Sequence, residues 1–191
     1  MAFEMTRRAV FLDLNGTLVL PVIPKNLSEL TLIENAGQAV ARLNQQGFIC
    51  PIVTVQSRIN KGAFTLGEFQ QWFGGFASTL NALGAEVVGP YVCPHRYREP
   101  CECKKPSTFL YEQAAREYGI NLPQSFVIGD SPEDVCAAYR FYGRGCLVRT
   151  GLAIDDAVLE RALPFTSFIA RSLDEAVDWV LAQDSISGLK S

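Results

Sequence analysis

The stretch "VFLDLNGTLVL", residues 10–20, opens the first apolar run of the chain and reaches an acid at Asp13. A strand-like run that delivers a carboxylate at its tip has two readings. Asn-Gly between apolar residues is a strong hairpin signal, and Asp13 would then be an ordinary turn-flanking acid. Alternatively Asp13 is a nucleophile, because a carboxylate at a strand tip can attack phosphorus and form an acyl phosphate. A turn can follow a nucleophile, so the two readings are compatible. Asn15 stands two positions on, followed by Gly16 and Thr17.

The rest of the chain alternates β-rich apolar runs with helix-patterned runs. Strands are predicted over 9–14, 48–55, 86–92, 125–130, 145–151 and, weakly, 165–170. Helical spacing predicts helices over 33–47, 65–84, 107–119, 131–143 and 172–183. Thr65 and Ser107 read as caps, Gly47 and Gly84 as stops, and Pro132 as a first-turn residue. Such alternation implies an α/β fold with a mostly parallel sheet and helices on both faces. Ligands then bind beyond the carboxyl ends of the strands. Asp13, the "TVQS" segment and Asp130 all fall at strand ends, so two acids and a hydroxyl would share one edge.

Each remaining motif has a bland reading beside a chemical one. In "VIGDSPEDV", Asp134 lies one helical turn after Asp130. The pair is either a helix cap favoured by the helix dipole, or part of a Mg²⁺ site shared with Asp13. Thr54 is either a β-branched strand residue or a hydroxyl donor to a phosphoryl oxygen. Lys104 and Lys105 are either a solvated pair or point charges for a phosphoryl group. Cys93, His95, Cys101 and Cys103 form C-x-H-x5-C-x-C in an eleven-residue loop. Four such ligands with no position left for water make a closed, structural Zn²⁺ site, against a chance cluster of free thiols. Cys50, Cys136 and Cys146 lie in apolar runs and read as buried core thiols.

Composition bounds the partners. The chain has 191 residues, 48% of them hydrophobic, and a formal net charge of −3. That length favours one domain, residues 1–191. With no long Lys/Arg run, duplex nucleic acid is not expected as a partner. No segment approaches the roughly 18 apolar residues of a membrane span. The "MAFEMTRRAVFLDL" start lacks the uncharged stretch of a signal peptide. A cytoplasmic monomer is expected.

Taken in order, these pieces resemble the haloacid dehalogenase (HAD) superfamily, from about residue 8 to residue 151. Asp13 matches the nucleophile of D-x-D-G-T, Thr54 the Ser/Thr motif, Lys105 the Lys motif, and Asp130 with Asp134 the last acidic motif. "VCPHRYREPCECKKP" resembles the zinc loop of D-glycero-D-manno-heptose-1,7-bisphosphate 7-phosphatases and of histidinol-phosphate phosphatase domains. "VTVQSRINKG" resembles their V-T-N-Q-S-G-x-x-R-G stretch, and "VRTG" their ending.

The resemblance implies a three-layer, Rossmann-like fold without a large cap domain. It implies a phosphatase acting on a small phosphorylated sugar or alcohol through an aspartyl-phosphate on Asp13. Mg²⁺ would be held by Asp13, the backbone carbonyl of Asn15 and Asp130, with Asp134 supporting. Thr54 and Lys105 would hold the phosphoryl oxygens, and Gln56, Ser57, Arg58 and Lys104 would face the substrate.

Asn15 departs from the family, whose second Asp protonates the leaving oxygen and then activates water. The amide is open to three readings: a deliberate Asp-to-Asn change, a slow or inactive relative, or a phosphotransferase. Cation-pumping ATPases with D-K-T-G-T also lack an acid there. A rival to the enzyme reading is an impaired relative that binds a phosphorylated ligand or a protein. Val55 for the family's Asn and Arg58 for its Gly weaken an assignment to heptose bisphosphate.

Overall fold

The structure is a computed structural model that describes residues 6–188. Residues 1–5 and 189–191 of the expected domain lie outside it. Strand β1 is Val10–Leu12, and a small hairpin pairs β2 (Val19–Leu20) with β3 (Thr31–Leu32). Then come α1 (Ala36–Gln45), β4 (Pro51–Val55), α2 (Leu66–Ala82), β5 (Val88–Cys93) and α3 (Phe109–Tyr118). The second half holds β6 (Phe126–Gly129), α4 (Pro132–Arg140), β7 (Arg144–Val148), α5 (Asp156–Ala162), β8 (Phe168–Ala170) and α6 (Leu173–Gly188). Six strands form one sheet in the order β5-β4-β1-β6-β7-β8, every neighbouring pair parallel.

Strand side chains alternate between the two faces of a sheet. Val10 and Leu12 therefore enter one buried cluster with Ile52, Phe126, Ile128 and Val177. Phe11 enters the opposite one with Val53, Tyr111, Val127 and Phe141. With both faces covered, these strands read as unbroken apolar runs rather than as alternation. The result is the expected three-layer architecture.

The order of strands fixes the site. From β1 the chain goes to β4 and β5 on one side, then returns to β6, β7 and β8 on the other. β1 is thus the switch point, where a crevice opens beyond the strand ends. The insertion between β1 and α1 is only the β2–β3 hairpin, so no large cap covers that crevice. Among the described residues, no helix is long and apolar enough to cross a membrane.

Several local expectations change. Asn15-Gly16 does not join β1 to a neighbouring hairpin strand. The chain turns through Leu14 to Val19, with Leu18 N and Val19 N donating to Leu14 O, and β2 pairs with β3 instead. The turn follows the acid without forming the hairpin that Asn-Gly suggested. Thr65 caps α2 through a reciprocal box with Glu68. For α3 the cap position is Thr108, not Ser107, although the Ser107 hydroxyl accepts from Phe109 N at 3.2 Å. Cys50 and Cys146 are buried, with their thiols pushed up to about 12 by burial, whereas Cys136 is half-buried. The six cysteines are all free of disulfides.

Candidate active site

Three adjacent strands deliver the site. Asp13 follows β1, Thr54 lies near the end of β4, and Asp130 follows β6. The ladder carries on past β1, since Asp13 N donates to Ile128 O at 3.0 Å. All three side chains are buried. Ligand oxygens of Asp13, Asp130 and Asp134 lie within 4.8 Å of one another.

One cation answers these three carboxylates. Lys105 Nζ donates to Asp13 Oδ1 and to Asp134 Oδ1, both at 2.6 Å, from a side chain 4% exposed. Asp134 is aimed by its helix: as third residue of α4 its Oδ2 accepts from the backbone N and hydroxyl of the Ser131 cap. Asp134 thus completes the capping box of Ser131 and is also the buried partner of Lys105. Asp130 Oδ2 accepts from Leu152 N at 2.6 Å. A Cβ on Gly16 or Gly151 would lie 2.2 or 2.0 Å from that oxygen, so both backbones must be glycine to cradle it.

Electrostatics follows from the count. Burial lifts the Asp13 carboxyl to about 6, against the pull of Lys105. Burial lifts Asp130 to about 8, helped by its neighbours Asp13 and Asp134. Lys105 is held well above its usual range because the two carboxylates outweigh its burial. Three buried carboxylates against one ammonium leave a deficit of positive charge, and a hard dication with oxygen ligands fits it. Asp13, Asp130 and Asp134 offer oxygens close enough together to hold such an ion.

Asn15 is fixed rather than loose. Gln56 Nε2 donates to Asn15 Oδ1 at 2.7 Å and to Thr54 Oγ1 at 3.0 Å, and Asn15 Nδ2 donates to Pro21 O at 3.4 Å. Gln56 is buried, so the structure gives it a positioning place behind Asn15 and Thr54, not a face toward substrate. Lys104 lines the cleft, and its ammonium donates to the carbonyls of Arg96, Tyr97 and Glu99. Arg58 lies outside the cleft wall, while Ser57 is in it. The cleft measures about 690 Å³, and its outer wall includes Val22, Ile23, Val55, Tyr97, Leu152 and Arg161.

The Cys/His loop closes on itself beside this cleft. Cys93, His95, Cys101 and Cys103 bring their ligand atoms within 4.8 Å. The Cys93 and Cys101 sulfurs are 3.8 Å apart, and His95 Nδ1 is 3.2 Å from Cys103 Sγ. Tetrahedral Zn–S bonds of about 2.3 Å place two sulfurs about 3.8 Å apart. Burial pushes the Cys93 thiol up, and a metal cation would offset that cost of ionising it. Arg96 donates to Asn60 O, and Asn60 donates to Glu99, so the loop is stitched to the turn after β4.

Known proteins resemble this chain in sequence and fold. A family model described as HAD-hyrolase-like matches residues 102–176, which include Lys105, Asp130 and Asp134. The D-glycero-beta-D-manno-heptose-1,7-bisphosphate 7-phosphatase of Haemophilus ducreyi is 35% identical over 159 residues, 78% of this chain and 87% of the relative. The chain belongs to the HAD superfamily, in the heptose-bisphosphate 7-phosphatase family. These HAD proteins are phosphoric monoester hydrolases by name. The Helicobacter pylori relative of the same name is 30% identical over 177 residues, 92% of this chain and 98% of the relative. A D,D-heptose 1,7-bisphosphate phosphatase from B. bronchiseptica, solved with magnesium and phosphate, has a TM-score of 0.83. It is 26% identical and covers 92% of this chain and 99% of its own.

Sequence reading missed several parts of this HAD site. The Leu152 amide and the Gly151 backbone hold Asp130. Helix α5 brings Val158 and Arg161 to the cleft wall. The signal for α5 was present in "DDAVLERAL", where Asp155 caps through Ala157 N and Val158 N.

Proposed function

We propose that this chain is a Mg²⁺-dependent phosphatase for a small phosphorylated sugar or alcohol, slowed by Asn15. The observation that carries the reading is the buried Asp13–Lys105–Asp134 chain beside Asp130, at the strand ends of an open cleft. Asp13 attacks phosphorus, and its Oδ–P bond forms as the ester P–O bond breaks. The Thr54 hydroxyl already accepts from Gln56, so its own proton is free for a phosphoryl oxygen. Lys105 uses two of its three N–H donors on Asp13 and Asp134, which leaves one for the phosphoryl group. A Mg²⁺ held by Asp13, Asp130 and the Asn15 carbonyl would neutralise the phosphoryl oxygens. Ser57 lines the cleft and would face the substrate. In this reading the chain is a cytoplasmic monomer and its partner is a phosphorylated metabolite.

The test is phosphate release from a panel of phosphosugars and phosphorylated alcohols with Mg²⁺. Turnover is expected that EDTA and Asp13→Asn both abolish. The locked amide of Asn15 favours a second reading, a phospho-ligand binding module. Ligand binding without turnover on any substrate supports that reading instead.

Mg²⁺ should stabilise the protein in a pH-dependent way. The raised carboxyls of Asp13 (about 6) and Asp130 (about 8) retain protons that the unfolded chain has released above about pH 4. Their contribution to metal-free stability is therefore full at low pH and lost as pH rises through those values. Mg²⁺ competes with the same protons, so its stabilisation should grow from about pH 5 to about pH 8. Thermal denaturation at both pH values checks this. A shift in Tm that is equal or smaller at the higher pH counts against the metal ligands named.

The loop metal is proposed to be Zn²⁺. Elemental analysis of protein prepared without chelator should find about one zinc per chain. Finding none, or finding it undiminished in Cys101→Ser, contradicts that assignment.

A further inference from the structure

Three large apolar side chains stand open to water around the cleft that holds Asp13. Ile23 is 64% exposed, Tyr97 80% and Leu152 42%, and all three line that cleft. Val22, Val55 and Val158 line it with them. These six residues come from five separate segments: the β2–β3 turn, the end of β4, the Cys/His loop, the turn after β7 and helix α5. No single amphipathic element produces such a wall, because no one periodicity runs through it. An exposed apolar patch of this kind marks a place where another molecule binds. Since the wall belongs to the same cleft as Asp13, Thr54 and Lys105, its occupant is the part of the substrate that carries the phosphoryl group.

The polar part of the lining is thin. Lys104 spends its ammonium on three backbone carbonyls, and the Ser131 hydroxyl donates to Asp134. Away from Asp13 and the side chains around it, Ser57, Glu133 and Arg161 remain among the described lining residues. A polyhydroxylated body needs a polar partner for each hydroxyl it brings out of water. A second phosphate needs cations. Arg161 is then the one cation offered to it, and Glu133 lines the same cleft with the opposite charge. We propose that the ester this cleft accepts has an apolar body. The substrate class is the phosphate monoester of an alcohol with an aromatic or branched aliphatic skeleton, not a polyhydroxylated or bisphosphorylated sugar. The proposal rests on the reading of Asp13 as the phosphoryl acceptor and narrows it. Hydrolysis consumes one water and yields the apolar alcohol and inorganic phosphate. Binding draws on apolar area removed from water on both partners, and Ile23 and Tyr97, the most exposed, have the most to bury.

The experiment compares benzyl phosphate, glycerol 3-phosphate and fructose 1,6-bisphosphate with the intact protein and Mg²⁺. All are esters of primary alcohols, so the leaving groups are chemically comparable. Benzyl phosphate is expected to lead both others in kcat/KM by about 10-fold or more. The double variant Ile23→Ser, Tyr97→Ser should bring that ratio near one, and both side chains are exposed enough for the fold not to depend on them. A second measurement needs no turnover: calorimetry of benzylphosphonate against methylphosphonate, each with Mg²⁺. The benzyl compound should bind about 10-fold tighter, with the more negative heat-capacity change of apolar burial. Equal or faster turnover of glycerol 3-phosphate or fructose 1,6-bisphosphate overturns the apolar assignment and leaves the phosphatase reading standing. A ratio unchanged in the double variant overturns the wall named here. Tighter benzylphosphonate binding with no turnover of any ester keeps the apolar site and removes the phosphatase reading. No turnover and no preference between the phosphonates removes both.

Discussion

Replacing Asn15 with aspartate is expected to raise kcat on the preferred phosphate ester by about 10²-fold or more. The side chain at 15 is held over the cleft by Gln56 and lines it beside Asp13 and Thr54. A carboxylic acid at that position can protonate the leaving oxygen and then take a proton from the attacking water. Both events belong to transition states, so the gain should fall in kcat. KM should change little if substrate dissociates quickly relative to chemistry. Mg²⁺ affinity should change little as well, since the proposed ligand at 15 is a backbone oxygen. Steady-state kinetics of the two forms on one ester checks this. An Asn15→Asp variant that folds, binds Mg²⁺ and is no faster removes the slow-phosphatase reading and leaves the binding module.

The second large effect concerns Lys105. Its ammonium is nearly sealed from water and sits 2.6 Å from both Asp13 and Asp134. In Lys105→Met those carboxylates lose their counter-charge in place. Removing one partner of a buried ion pair typically costs about 3–5 kcal/mol. The carboxylates can escape part of that cost by holding protons. The native variant then keeps protons that the unfolded chain releases, so its stability should fall as pH rises from about 5 to about 8. Urea unfolding of the metal-free protein at both pH values measures this. Activity should drop by about 10² or more, read in the Asn15→Asp background, because one fixed donor to the phosphoryl group is gone. A variant as stable as the parent at the higher pH shows that Lys105 is not the counter-charge of the site.

Much of this was legible in the sequence because the relevant signals are local. The doubly covered strands announce themselves as apolar runs such as "VFL" and "FVIG", and each one is followed directly by its candidate site residue. The zinc-type loop is legible because its four ligands lie within eleven residues. Partners set by tertiary geometry were not legible. Nothing local says that Lys105, rather than Lys104, reaches Asp13. The choice comes from where the loop turns, which leaves Lys104 among three carbonyls. Gln56 likewise follows a strand end where a substrate contact is natural, yet the strand sends it inward to Asn15. The β2–β3 pair was hidden because each strand is two residues long, too short for a period to show. Leu152 acts through its backbone amide, which no side-chain pattern reveals.

A crystal structure of the protein with Mg²⁺ and beryllium fluoride tests the central claim most directly. The fluoride complex mimics a phosphoryl group on a carboxylate and asks no proton transfer of the side chain at residue 15. Beryllium is expected on an Asp13 carboxylate oxygen, with Lys105 Nζ and the Thr54 hydroxyl on the fluorides. Mg²⁺ is expected between Asp13, Asp130 and the Asn15 carbonyl, at about 2.0–2.1 Å from its oxygens. A complex bound away from Asp13, or a metal that does not bridge Asp13 and Asp130, would contradict the account.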